Sequence, residues 1–115
     1  MPAANELKDL ALRMARAFEE LGAFVFQRDL DAPGEVMKLI RQLELSHLLN
    51  VTGLQHGIYV VTLNTRPCSV ECKLKRCAEL HENERDGCLS SCVASCKREL
   101  LKRVVEVLMS YARAR

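Results

Sequence analysis

All six cysteines of this chain lie between positions 68 and 96: Cys68, Cys72, Cys77, Cys88, Cys92 and Cys96. Folding the stretch back on itself at the polar segment His81 to Gly87 sets Cys77 opposite Cys88, Cys72 opposite Cys92 and Cys68 opposite Cys96. An antiparallel helical hairpin carries residues of nearly constant position sum past one another, and the i, i+4 spacings 68/72, 88/92 and 92/96 keep the sulfurs near one helix face. Six cysteines can pair in fifteen ways, of which geometry favours this nested ladder of three disulfides. Cys77 fits least well, because five residues after Cys72 it has turned about 140° past a full turn of an ideal helix. It is expected in a fraying last turn or in the loop. A metal or iron-sulfur site and a redox switch are the competing uses of six thiols, but zinc sites favour CxxC-like pairs, which neither CxxxC nor CxxxxC reproduces. Cys77 and His81 are spaced as two ligands could be, although His81 reads as a solvated loop residue.

With 115 residues and 49% apolar composition, the chain has room for one domain or for two small halves sharing a core. The longest apolar runs fall far short of the roughly 20 residues that cross a bilayer, so no membrane partner is expected. The opening MPAANELKDL has neither a basic nor an apolar signal region, from which a cytoplasmic protein is expected. Disulfides rarely persist in a reducing cytosol, and the main exception is the intracellular protein of a hyperthermophile. Charged residues make up 28% while Asn and Gln together number seven, in keeping with a hyperthermophile or an archaeal virus of one as the source. The net charge of +2 is unevenly spread: residues 1–64 carry six Lys/Arg and eight Asp/Glu, net −2, and residues 65–115 carry eleven and seven, net +4. Basic character is thus C-terminal.

Along the chain, Asn5 is a candidate cap for a first helix whose stripe is Leu7, Ala11, Met14, Phe18 and Leu21, ended by Gly22. Ala23 to Leu30 is a strand or a short helix. Asp31 is a candidate cap for a second helix with Pro33 in its first turn; Val36, Leu39, Ile40 and Leu43 point inward there. Leu45 to Leu54 and Ile58 to Leu63 read as a β-hairpin, with Gln55-His56-Gly57 as its turn. Asn64 or Thr65 caps a third helix towards Leu80, HENERDG (81–87) is a loop, and a last helix runs from Cys88 to about Tyr111. Its apolar stripe of Val93, Cys96, Leu100, Val104, Val107, Leu108 and Tyr111, with a second row at Leu101, Val105 and Met109, needs more cover than one neighbour supplies. That cover is either the N-terminal half or, in a homodimer, a second copy.

Residues 5–63 run helix, short element, turn, helix, β-hairpin, an order that resembles the winged helix-turn-helix superfamily. The local match is RDLDAPGEVMKLIRQL (28–43). The resemblance implies a winged-helix domain at 1–64; with the cysteine ladder, which makes 65–115 a stapled helical hairpin with a long C-terminal helix, the expected fold is mainly α with a small β-hairpin, the two parts sharing one core or not. It also implies double-stranded DNA as partner, with transcriptional control as the role. Gly34, Glu35, Lys38, Arg41 and Gln42 would face DNA, and His56 would sit at the wing tip. Arg41 and Gln42 can read guanine and adenine edges. Phosphate neutralisation has to come from elsewhere, since this half is net acidic; Lys97, Arg98, Lys102 and Arg103, or the tail arginines Arg113 and Arg115, are the candidates. Separately, CSVEC and CVASC resemble the twin CxxxC hairpins of small disulfide-stapled proteins, whose functions do not transfer by likeness of staple. That hairpin suits a second reading, a non-enzymatic scaffold or interaction module; a metal or redox sensor is a third.

No cofactor or small-molecule substrate is expected, and no catalytic residue stands out. No His is placed to activate a cysteine, Glu19/Glu20 and Glu82/Glu84 read as solvated faces, and no Gly-rich phosphate loop is present. His47 and His56 read as ordinary strand and turn residues beside their one proposed use.

Overall fold

The computed structural model describes residues 4–114. The chain is mainly helical with a small three-stranded antiparallel sheet. Helix α1 (Ala4–Leu21) is followed by strand β1 (Ala23–Gln27), α2 (Pro33–Gln42), β2 (Leu49–Gly53), β3 (Ile58–Leu63), α3 (Arg66–Glu71) and α4 (Glu82–Arg113).

Helix α1 buries Leu7, Leu10, Ala11, Met14, Ala15 and Phe18, a stripe wider than the expected one. Leu21, counted in that stripe, is instead 77% exposed, because it is the last helical residue before Gly22 turns the chain away. Gly22 takes φ 73° and its amide donates to the Phe18 carbonyl at 3.0 Å, the left-handed end that a Cβ would oppose. Asn5 lies inside α1, so it does not cap it.

Ala23–Gln27 is the strand of the two alternatives. It alternates Phe24 and Phe26 inward with Val25 and Gln27 outward, and it pairs with β3, which also pairs with β2, giving the order β1-β3-β2. Phe26 stacks on Tyr59 at 5.2 Å between ring centroids, and Phe24 on Phe26 at 5.6 Å. A strand before the Asp31–Pro33 turn means that α2 follows sheet, not helix. The N-cap of α2 is Ala32, without a side-chain hydrogen bond. Asp31 is drawn off instead by Arg13, whose guanidinium grips both carboxylate oxygens at 3.0 and 2.8 Å. Strand β2 is shorter than the expected Leu45 to Leu54: Glu44 at φ 58° and a turn over Ser46 to Leu48 precede it, with Leu45 buried beneath and exposed His47 in the turn, not the strand.

Three disulfides join Cys68 to Cys96, Cys72 to Cys92 and Cys77 to Cys88, with Cα separations of 5.7, 5.9 and 5.9 Å. These are the rungs of the nested ladder. The limb before the turn is not one plain helix: α3 gives way at Cys72–Arg76 to a π-helical turn, and the Cys77 amide donates to the Cys72 carbonyl at 2.9 Å. One turn therefore spans five residues, and Cys77 comes back under Cys72.

The expected loop at 81–87 is largely helix. Helix α4 starts at Glu82, with Glu82 and Glu84 in its first turn where the helix dipole favours carboxylates. Arg85, one turn in, donates to the carbonyls of Ala78 at 3.3 Å and Leu80 at 3.2 Å, tying the true turn at 77–81 to the helix. Gly87 sits within the helix with nothing within 4 Å of where a Cβ would be.

The C-terminal half of α4 completes the N-terminal core. Val104 and Leu108 are fully buried in one cluster with Met14, Phe18, Leu39 and Val61, and Leu100, Leu101, Val105 and Met109 pack around it. Helices α1 and α4 run antiparallel, with the Lys8 ammonium near the start of α1 donating to the Ala114 carbonyl just past the end of α4. In the apolar stripe of α4 Val104 and Leu108 are fully buried, while Val93, Leu100, Leu101, Val105, Val107, Met109 and Tyr111 are half-buried, so the N-terminal half supplies part of the cover that the stripe calls for. The two halves share one core.

Candidate nucleic-acid interface

Helix α2 turns Val36, Leu39 and Ile40 into the core, and this fixes which residues face out. Gly34, Arg41 and Gln42 are exposed, and Lys38 and Glu35 are half-buried. The two ends of the helix differ electrostatically. At its start an open cleft of about 470 Å³ is bordered by Glu6, Asp9, Asp31 and Glu35, with Arg13 as the one cation. Arg13 is engaged by Asp31 and by Asp9 at 3.1 Å, and its pKa is raised, chiefly by the hydrogen bond to Asp31. Gly34 thus lies beside an anionic cleft that repels phosphate, whereas Lys38, Arg41 and Gln42 belong to the opposite, cationic end.

The hairpin turn is built on two left-handed residues, His56 at φ 61° and Gly57 at φ 72°. His56 is exposed at its tip. Sequence reasoning gave this turn no second cation, but the fold supplies one: the Arg28 amide donates to the Gly57 carbonyl at 2.8 Å, and the Arg28 side chain lies along the turn. A Cβ on Gly57 would stand 3.7 Å from its Nε. In the sequence Arg28 belongs to the short element Ala23 to Leu30, and only the β1–β3 register brings it to the hairpin. The signal was present as a strand ending at Gln27, but it needed the pairing partner to be read.

Lys97, Arg98, Lys102 and Arg103 are all exposed on α4. Arg98 and Lys102, four apart, share a face, while Lys97 and Arg103 diverge from it and Glu99 and Glu106 intervene, so the four do not form an unbroken cationic stripe. Arg103 borders a shallow cleft with Leu48, Asn64 and Pro67. Helices α2 and α4 both pack on α1. Among the described residues no His, Cys, Asp and Glu cluster is arranged to hold a metal ion, and with every cysteine paired no thiolate is free to ligate one. No described helix is long and apolar enough to cross a membrane.

The chain matches no family model, no curated protein and no solved structure. The reading of the site therefore rests on its own chemistry.

Proposed function

We propose that this chain is a winged-helix-like, non-enzymatic protein that binds double-stranded DNA. Helix α2 would lie towards the major groove through Lys38, Arg41 and Gln42, and the hairpin tip would lie on the backbone. The observation that carries the reading is Arg28 laid along the hairpin turn beside His56, because it gives the wing the phosphate-binding charge that its own sequence lacks. The sheet order β1-β3-β2, with α2 inserted between β1 and β2, supports it. Arg98 and Lys102 are the further phosphate contacts on α4. The setting that suits three disulfides in such a protein is the interior of a hyperthermophile or of a cell infected by its virus, and transcriptional control is the corresponding role.

Fluorescence anisotropy with a random-sequence duplex tests this. Micromolar or tighter binding that weakens with salt is expected, and Arg28→Ala is expected to flatten the log–log salt slope by about 1. Arg41→Ala is expected to weaken binding by about 1–3 kcal/mol on a selected site and less on random duplex. Absence of salt-sensitive binding at micromolar protein rejects the reading.

A second reading has its own observation. On the stapled hairpin Val70 is 48% and Leu74 67% exposed, one turn apart, among Arg66, Lys73, Lys75 and Arg76. Apolar side chains on a rigid surface rimmed with charge suit a protein partner. Capture of a protein by the native chain, lost in Leu74→Glu and with no nucleic acid present, would favour this scaffold reading.

A further inference from the structure

Strand β1 is an outer strand of the sheet, and its hydrogen bonding can be worked out residue by residue. The Arg28 amide donates to the Gly57 carbonyl one step beyond the Gln27–Ile58 pair, so 28 and 57 are a hydrogen-bonded pair. Such pairs alternate in an antiparallel ladder, which makes Phe26–Tyr59 and Phe24–Val61 bonded pairs too. The other side of β3 agrees: Leu54 donates to Ile58 at 2.7 Å and Asn64 to Leu48 at 2.8 Å, which assigns residues 58, 60, 62 and 64 to β2. The amides and carbonyls of Ala23 and Val25 therefore point off the sheet, as does the Gln27 amide. The Gln27 carbonyl is taken by the amides of Leu30 at 3.0 Å and Asp31 at 2.9 Å.

Such an edge is normally guarded by a charge, a proline or a bulge. Ala-Phe-Val-Phe-Gln has none of these, and Val25 at its centre is 58% exposed. We infer that β1 pairs antiparallel with β1 of a second copy of this chain about a two-fold axis through Val25, making one six-stranded sheet. The strand is self-complementary about that point: Val25 faces its own counterpart, and Phe24 on the core side faces Phe26 of the copy. Two bonds form at Val25, and two more, one from each Gln27 amide, run to the Ala23 carbonyl of the other copy. The same register sets Gly22 opposite Arg28 of the copy, which brings the exposed Glu19 and Glu20 at the end of α1 beside that guanidinium, twice by symmetry. Joining β1 to β2 of another copy would leave free edges at both ends and polymerise; the two-fold arrangement closes. This inference does not rest on DNA binding, though both readings use the Arg28 guanidinium, and it places the second copy on the sheet, away from α4.

Sedimentation equilibrium of the native chain up to about 0.1 mM tests it, a dimer being expected within that range. Val25→Lys places like charges directly opposite and is expected to weaken the dimer at least about tenfold while leaving the melting temperature unchanged at dilutions where the native chain is monomeric, since Val25 buries little in the monomer. Residues of a hydrogen-bonded pair have Cα atoms about 5.5 Å apart, within disulfide range, so Val25→Cys is expected to give a covalent dimer on oxidation while Ser110→Cys on the exposed side of α4 does not. A monomer throughout, a dimer indifferent to Val25→Lys, or cross-linking through Ser110→Cys in place of Val25→Cys each overturns the inference.

Discussion

The Cys77 amide donates to the carbonyl of Cys72, five residues back, at 2.9 Å. This one bond reconciles a five-residue spacing with a ladder whose other spacings along each limb are all four. An α-helical turn would carry Cys77 round to the side, away from Cys88, and the wider π turn keeps all three sulfurs of this limb, each buried, on the face that meets α4.

Within the hairpin the only fully buried side chains are those of Cys68, Cys72 and Cys77. A limb with no apolar core of its own depends on its covalent rungs, each worth about 2–4 kcal/mol in isolation and less once its neighbours have shortened the loop it closes. Reduction and alkylation are therefore expected to remove amide hydrogen-exchange protection from residues 66–96 while leaving it in α1, the sheet and the last four turns of α4. Uniform loss of protection would show instead that the hairpin supports the core.

Leu108 belongs to α4 yet is fully buried among side chains of the N-terminal half. Leu108→Ala is expected to cost about 2–5 kcal/mol in urea unfolding, and Leu89→Ala, near the turn and only half-buried, under about 1 kcal/mol.

His56 holds a left-handed backbone conformation at a cost of roughly 1 kcal/mol that glycine does not bear. His56→Gly is expected to raise the melting temperature by a few degrees, partly offset by the greater freedom of glycine in the unfolded chain, and to lower DNA affinity if the tip contacts phosphate. The two readouts move in opposite directions, which separates a fold defect from a lost contact.

Arg13 has its pKa raised in the folded state, so its ion pair contributes stability that is complete below the unfolded-state pKa and lost only as the pH rises through the folded-state one, far into the alkaline range. Across roughly pH 6–9 the contribution from Arg13 is therefore flat. Asp31→Asn is expected to lower stability by under about 1 kcal/mol, because the Arg13 side chain is 44% exposed, and by the same amount at both ends of that range. A cost that differs between the two pH values would point to another titrating group.

Much of this architecture could be read from spacing alone. Apolar periodicity located α1, α2 and α4, and β-branched content located β3, because burial imposes those patterns directly on the residues. The rungs followed from nested positions. What escaped was set by partners distant in sequence. Asp31 looks like a cap until Arg13 arrives from α1, and Arg28 belongs to the hairpin only through the sheet register. HENERDG reads as a loop by composition, and it is helical because Arg85 holds the preceding carbonyls and the rung at Cys88 fixes that end. Lys38, Arg41 and Gln42 were legible as outward-facing, but the carboxylates that crowd the other end of α2 were not, since two of them come from α1.

Helix α4 runs for 32 residues, about 48 Å of a molecule whose longest dimension is 54 Å. It is a mast stepped into the core at one end and rigged with sulfur at the other, with Lys97 and Arg98 on the bare span between. A helix break placed there would leave the cross-linked tip held only through the short link of Asn64 and Thr65 between β3 and α3, so the bearing of that tip is set by the rod and the link together.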